Sequence, residues 1–357
     1  MATDPTVFST PHLDIYFQSQ RASLDAHLPT RLADFIAATQ ATLDCAIYDL
    51  RDATILAALK QVADRGLQLR IAYDQGKQPA SNHMALMADP KPGSTADALA
   101  QAGLTRYATP IHEGKNLMHD KVLVRDGRAV WTGSANFTVG GLTLQDNNCL
   151  ALDSDPLAQR YAAVVEDLLA GHHRHVRTPR QRQGAASQPV QVGDVVVTPV
   201  FAPAQGEGIE DTIVNDLAGA QRVRILAFLI SDPGILQALE PFADDPRLDI
   251  QGVYDLGGMK DVLRQTRQDP RLFWFTADPR FVKAPSHPFS EQRENDFMHN
   301  KVMIIDDRIV LTGSYNFSEN AELNDENLLR IESPAVAAAY TRYFDTLYRQ
   351  YGGTPAV

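Results

Sequence analysis

MHDKVLVRDGRAVWTGSANFT, residues 118–138, and MHNKVMIIDDRIVLTGSYNFS, residues 298–318, are two copies of one segment set 180 residues apart. The separation from His119 to Gly133 equals that from His299 to Gly313. In each copy two short apolar runs flank a turn, Asp126-Gly127 or Asp306-Asp307, so each predicts paired β-strands followed by a Gly-Ser turn. Working outward, ILAALKQVADRGLQLRIAYD (55–74) returns as ILQALEPFADDPRLDIQGVYD (235–255) with one inserted residue. Ile55, Leu56, Leu59 and Val62 match Ile235, Leu236, Leu239 and Phe242 at helical spacing. Strand-like runs at 43–49 and 223–230 precede these helices, and each half therefore predicts a strand-helix-strand unit with parallel pairing. Helices at 157–171 and 336–351 close the two units. The fold class is α/β: two similar sandwich domains, residues 1–171 and 192–357. The stretch 172–191 between them carries four arginines, three histidines and no acid, and reads as a basic linker.

Composition narrows the class. A chain of 357 residues has room for about two domains of roughly 150 residues, and 44% apolar residues is the ordinary share for buried cores. No apolar run approaches the roughly 20 residues of a membrane-spanning helix. The N-terminus has neither a basic start nor an apolar stretch, so a cytoplasmic location is expected. Cys45 and Cys149 both lie in strand-like runs and predict buried thiols, not a disulfide framework or a zinc site. The net charge of −11 argues against indiscriminate binding to polyanions.

His119 and Lys121, like His299 and Lys301, stand two apart on a strand and project from the same face. Asp126 and Asp306 have the other parity, which suits a turn or supporting role. A single strand histidine is usually inert; two copies at matched distance from Gly-Ser-x-Asn are not. An ammonium beside each imidazole excludes a metal site and points to an anion. These residues resemble the phospholipase D superfamily, whose signature is a pair of His-x-Lys-x4-Asp motifs, each followed by Gly-Ser-x-Asn. The matching positions are His119, Lys121, Asp126, Gly133, Ser134 and Asn136, then His299, Lys301, Asp306, Gly313, Ser314 and Asn316. MHDK, MHNK, SANFT, SYNFS and DENLLRI look most like the compact bacterial branch with endonucleases and cardiolipin-hydrolase-like enzymes.

The resemblance implies a tandem fold whose halves, related by a pseudo-twofold axis, share one active site in a monomer. It implies phosphodiester cleavage through a covalent phosphohistidine, with no metal and no cofactor. Lys121, Lys301, Asn136 and Asn316 would hold the charge of the transition state, supported by Ser134 and Ser314. In the family a carboxylate after each motif orients a catalytic histidine; here Glu326 stands in the second half where the first has Asn147, with Asp146 as a substitute. The expected consequence is that Glu326 serves the histidine of its own half: His299 becomes the proton donor, and His119, beside a neutral amide, the nucleophile. Arg174, Arg177, Arg180 and Arg182 of the linker suggest single-stranded nucleic acid as substrate, with phospholipid as the alternative. Lys77, Lys91, Lys115, Lys260 and Lys283 read as surface lysines, and Phe137, Phe289, Phe297 and Tyr315 as packing around the motif loops.

Overall fold

The computed structural model describes residues 4–76, 92–111, 116–171, 187–203, 206–265, 271–288, 290 and 293–355. The first half forms an eight-stranded sheet in the order β1-β2-β8-β7-β6-β3-β4-β5. Its strands are β1 (Val7–Thr10), β2 (Leu13–Gln18), β3 (Thr42–Ile47), β4 (Gln68–Asp74), β5 (Ala108–Ile111), β6 (Lys121–Arg125), β7 (Ala129–Gly133) and β8 (Asn147–Asp153). The second half repeats the order as β9-β10-β16-β15-β14-β11-β12-β13. Here the strands are β9 (Val190–Val192), β10 (Val195–Ala202), β11 (Arg222–Ala227), β12 (Asp249–Asp255), β13 (Phe281–Ala284), β14 (Lys301–Ile305), β15 (Ile309–Gly313) and β16 (Glu326–Glu332). β9 occupies the end of the stretch read as linker, because its alternating valines pair with β10 and bury.

The strand-helix-strand units form as the repeats predict. β3 pairs parallel with β4 and β11 with β12. The connecting helix Ala53–Asp64 buries Ile55, Leu56, Leu59 and Val62, and starts at Asp52, whose carboxylate accepts from the amides of Thr54 and Ile55. Asp232 starts the matching helix Pro233–Leu239 in the same way. Each motif is an antiparallel hairpin, β6–β7 and β14–β15. At the turns Asp126 (φ 54°) and Asp306 (φ 50°) are left-handed. The Asp126 carboxylate caps the amides of Gln40, Ala41 and Thr42, and that of Asp306 the amides of Gln221 and Arg222. Both aspartates stand at the far end of the strand from the histidines, so their role is to hold the turn.

One face of each sheet packs on outer helices, including Leu28–Ala37 with Ala53–Asp64 in the first half. The other faces meet in a common core with the two long helices Asp155–Ala170 and Pro334–Gln350. Gly171, at φ 75°, ends the first of these.

The halves are fastened by reciprocal bonds. The amide of His119 donates to Asp325 O (2.9 Å) and that of His299 to Asp146 O (3.0 Å). Deeper in, Asn148 is gripped by the second half: Thr312 and Tyr340 donate to its Oδ1 at 2.9 and 2.8 Å, while its Nδ2 donates to Asn300. Asn327 is gripped by the first half in the same way, by Thr132 and Tyr161, and donates to Asp120 at 2.6 Å. Such exchange of equivalent contacts is the mark of a twofold relation.

Candidate active site

Both histidines sit just before the first strand of their hairpins, where the reciprocal backbone bonds bring the two motifs side by side. His119 and His299 are 6% and 7% exposed, and Lys121 and Lys301 are buried behind them. Each ammonium donates back to the carbonyl of its own histidine, Lys121 to His119 and Lys301 to His299, the latter at 2.6 Å. An aromatic ring lines each pair. Tyr48 lies edge-on to His119 at 4.7 Å with the Lys121 ammonium 4.9 Å from its centroid; Phe228 meets His299 at 5.6 Å and Lys301 at 5.7 Å. Tyr48 and Phe228 escaped the sequence reading, although each directly follows the last residue of a duplicated strand. Asp74 and Asp255 were also passed over. They end β4 and β12 and accept the amides of Met118 (2.8 Å) and Met298 (3.2 Å), which anchors each motif at its first residue.

The orienting groups cross between the halves. His119 Nδ1 meets Glu326 Oε2 at 2.9 Å, and His299 Nδ1 meets Asn147 Oδ1 at 3.1 Å. The expectation that Glu326 serves His299 is therefore wrong. The twofold carries the start of each last strand, β8 or β16, to the opposite motif, so a residue's place in its repeat does not name the histidine it reaches. Asp146 orients neither histidine through its carboxylate, which accepts from the Tyr351 hydroxyl at 2.5 Å.

A further layer fixes the orienting groups. Asn147 Nδ2 donates to Gly141 O (2.8 Å) and Ser134 Oγ donates to Asn147 Oδ1 (2.7 Å), so the amide must turn its oxygen to His299. Asn324 donates to Glu326 Oε1 at 3.3 Å, and Ser314 bonds the same carboxyl. Ser134 and Ser314 are fully buried and act through these residues, not on a substrate. Asn136 and Asn316, next in the motif, are half-buried, and in both the amide oxygen is buried without a protein partner.

Burial, then the fields of Lys121 and Lys301, hold both imidazoles well below their ordinary pKa. Each is neutral at pH 7, with its proton assigned to Nδ1 by the acceptor there. Burial lowers Lys121 to about 8 and puts Lys301 well below its usual value. It raises Glu326 to about 7, against the pull of Lys121. Two lysines and two neutral imidazoles leave this cluster short of negative charge, and a bound anion would move all four back toward their ordinary protonation.

Of the residues named from sequence, the structure brings His119, Lys121, His299, Lys301, Glu326 and Asn147 into one cluster, with Ser134 and Ser314 behind it and the Asn136 and Asn316 loops beside it. Asp126 and Asp306 are left outside. Lys260 and Lys283 are exposed. Arg174, Arg177, Arg180, Arg182, Lys77, Lys91, Lys115 and Phe289 lie outside the described residues.

Comparison with known proteins gives the family and the fold. Residues 32–169 and 214–348 match the family described as cardiolipin synthase, PLD-like domain. The mitochondrial cardiolipin hydrolase of Xenopus laevis is 26% identical over 151 residues, covering 39% of this chain and 60% of that protein. That of Chlamydomonas reinhardtii is 27% identical over 136 residues, covering 37% and 53%. The match thus spans little more than half of either relative. Among solved structures, phosphatidylserine synthase of Haemophilus influenzae Rd KW20 superposes with a TM-score of 0.66 at 16% identity, over 94% of this chain and 86% of that one. Polyphosphate kinase of Porphyromonas gingivalis gives 0.53 at 11% identity, over 89% and 45%. Both share the fold.

Proposed function

Since the chain belongs to the phospholipase D superfamily, we propose that it cleaves phosphodiesters through a covalent phosphohistidine on His119. The observation that carries this is the crossed His119–Glu326 bond at 2.9 Å. Attack by Nε2 of His119 on phosphorus leaves its ring positively charged, and a carboxylate on Nδ1–H stabilises that charge as it develops. His299 faces the neutral Asn147, so its imidazolium gains no such support and gives up its proton readily. We therefore propose the same nucleophile and acid as expected from sequence, for the opposite reason.

In the first step the N–P bond forms, the bond from phosphorus to the leaving oxygen breaks, and that oxygen takes the proton of His299 Nε2. In the second, water or an alcohol loses a proton to His299 and attacks phosphorus, and the N–P bond breaks. Lys121 and Lys301 balance the charge on the nonbridging oxygens, which is greatest in the transition state. His299 takes up its proton from solvent as the substrate binds, because the substrate's negative charge offsets the burial and ammonium fields that keep the free imidazole neutral.

The finer reading concerns the substrate. Single-stranded nucleic acid is suggested by the linker arginines; a glycerophospholipid is suggested by the names of the relatives, and the lipid reading fits as well as the nuclease one. A panel of labelled single-stranded DNA, RNA, cardiolipin vesicles and a chromogenic phosphodiester, with and without added ethanol, separates them. Turnover of one polymer or lipid class, lost in His119→Asn, supports the proposal and names the substrate; no turnover of any diester overturns it.

A further inference from the structure

Away from the histidines, on the outer side of the second half, Glu210, Asp232 and Glu322 bring one carboxylate oxygen each to within 4.8 Å of one another. Among the described residues this is the only such cluster of three. Glu210 comes from the helix Gly206–Leu217, Asp232 from the start of the helix Pro233–Leu239, and Glu322 from the turn before β16. Asp232 is fully buried and uses one oxygen to cap its helix; the other, Oδ2, has no partner. The Tyr315 hydroxyl is fully buried as well and also lacks a partner. The charges acting most strongly on it are those of Asp232 and Glu322, with Glu210 among the rest. No lysine or arginine is among the leading charges on Glu210, Glu322 or Tyr315. Like charges at this spacing are costly to bury.

The internal duplication shows that the fold does not need them. In the first half Asp52 caps the same helix, yet Thr143 stands for Glu322, Ala135 for Tyr315, and the stretch aligned with Glu210 is Leu28, Pro29 and Thr30. The second half has also made room. A Cβ on Gly234 would fall 1.6 Å from Glu210 Oε1, and the first half has Thr54 there.

We propose that Glu210, Asp232, Glu322 and the Tyr315 hydroxyl form a binding site for a hard divalent cation of the Ca²⁺ type. All four donors are oxygens, which suits Ca²⁺ or Mg²⁺ and not zinc or copper. Opposed ligands on Ca²⁺ stand about 5 Å apart, so the spacing lets all three carboxylates reach one ion. Ca²⁺ is favoured because it accepts irregular protein cages, whereas Mg²⁺ keeps several waters that a buried cluster leaves little room for. Tyr315 lies between Ser314 and Asn316, so the ion would brace the loop behind Glu326 while taking no part in the chemistry at His119.

The test is titration of the full chain, stripped with EDTA and exchanged into chelator-free buffer, with CaCl₂, MgCl₂ and MnCl₂. Calorimetry should show one Ca²⁺ per chain, and the unfolding temperature should rise with Ca²⁺ concentration. Glu210→Gln, at a partly exposed position, should weaken Ca²⁺ at least tenfold, Tyr315→Phe should weaken it less, and His119→Asn should bind as the wild type does. Chelation should lower the unfolding temperature without changing the turnover rate measured well below it. Absence of stoichiometric binding by any of the three ions, or equal binding in Glu210→Gln/Glu322→Gln, overturns the site and leaves shared protons as what balances the cluster. Neither result depends on turnover, so failure here is distinct from failure of the phosphohistidine reading.

Discussion

At the residue scale the molecule turns on two similar contacts with different acceptors. Glu326 to His119 is a bond to a carboxyl, Asn147 to His299 a bond to an amide. Glu326→Gln keeps an acceptor oxygen but removes the charge, and should slow formation of the covalent intermediate by roughly 10²-fold or more, read as the burst of leaving group in rapid-quench experiments. Asn147→Asp places a carboxylate on His299 and raises its pKa. Because His299 must carry a proton in the first step, activity falls as pH rises past that value, and the alkaline limb of the rate profile should move to higher pH. An unmoved limb would separate Asn147 from the acid. The sequence showed every one of these side chains but not their pairing. The pairing is made by the twofold, which exchanges the β8 and β16 ends between motifs, and no repeat inspected alone contains that operation.

At the element scale, the Gly-Ser turn sets where Asn147 and Glu326 sit. Gly133 and Gly313 have φ of 147° and 152°, and a Cβ on either would lie 2.3 Å from the carbonyl oxygen of Asn148 or Asn327. Gly313→Ala must push β16 away from β15, destabilising the protein by about 2 kcal/mol and shifting Glu326 from His119. Chemical denaturation should show the loss of stability, and activity should drop further than the folded fraction explains. Gly133→Ala should cost as much stability but act through Asn147. The parity of Asp126 and Asp306 was legible, since a strand with His and Lys on one face cannot present there a residue five places after the Lys. Tyr48 and Phe228 were not, because an aromatic at a strand end has no pattern that separates lining a site from filling a core.

At the scale of the whole molecule, the halves meet across a buried polar belt that is nearly symmetric except that Asp120 stands opposite Asn300. Burial raises Asp120 to about 7, far above the roughly 3.9 of a free aspartate. The folded state thus holds a proton that the unfolded state has released. The stability this confers is complete below about pH 4 and is lost as pH rises through 7. Asp120→Asn should flatten that decline and be more stable than the wild type by about 1 kcal/mol or more at pH 8, measured by denaturant titration from pH 5 to 8. A steeper decline in the variant would mean that the carboxylate is stabilised by contacts beyond Asn327. The two-domain α/β order and the parallel units were legible from the duplication, because periodicity and copy spacing report backbone topology directly; the shared site was implied only by the family resemblance. The belt was hidden, since Asn148 and Asn327 sit in apolar strands and find their partners only across the interface.

One measurement bears on the central claim, that His119 is the nucleophile and Glu326 reaches it from the other half. The enzyme is mixed with a slowly hydrolysed phosphodiester, quenched, digested under conditions that preserve N–P bonds, and the labelled peptide is sequenced. Phosphate should be found on His119, absent in His119→Asn and much reduced in Glu326→Gln, with His299 unlabelled throughout. Label on His299, or undiminished label on His119 in Glu326→Gln, would contradict it.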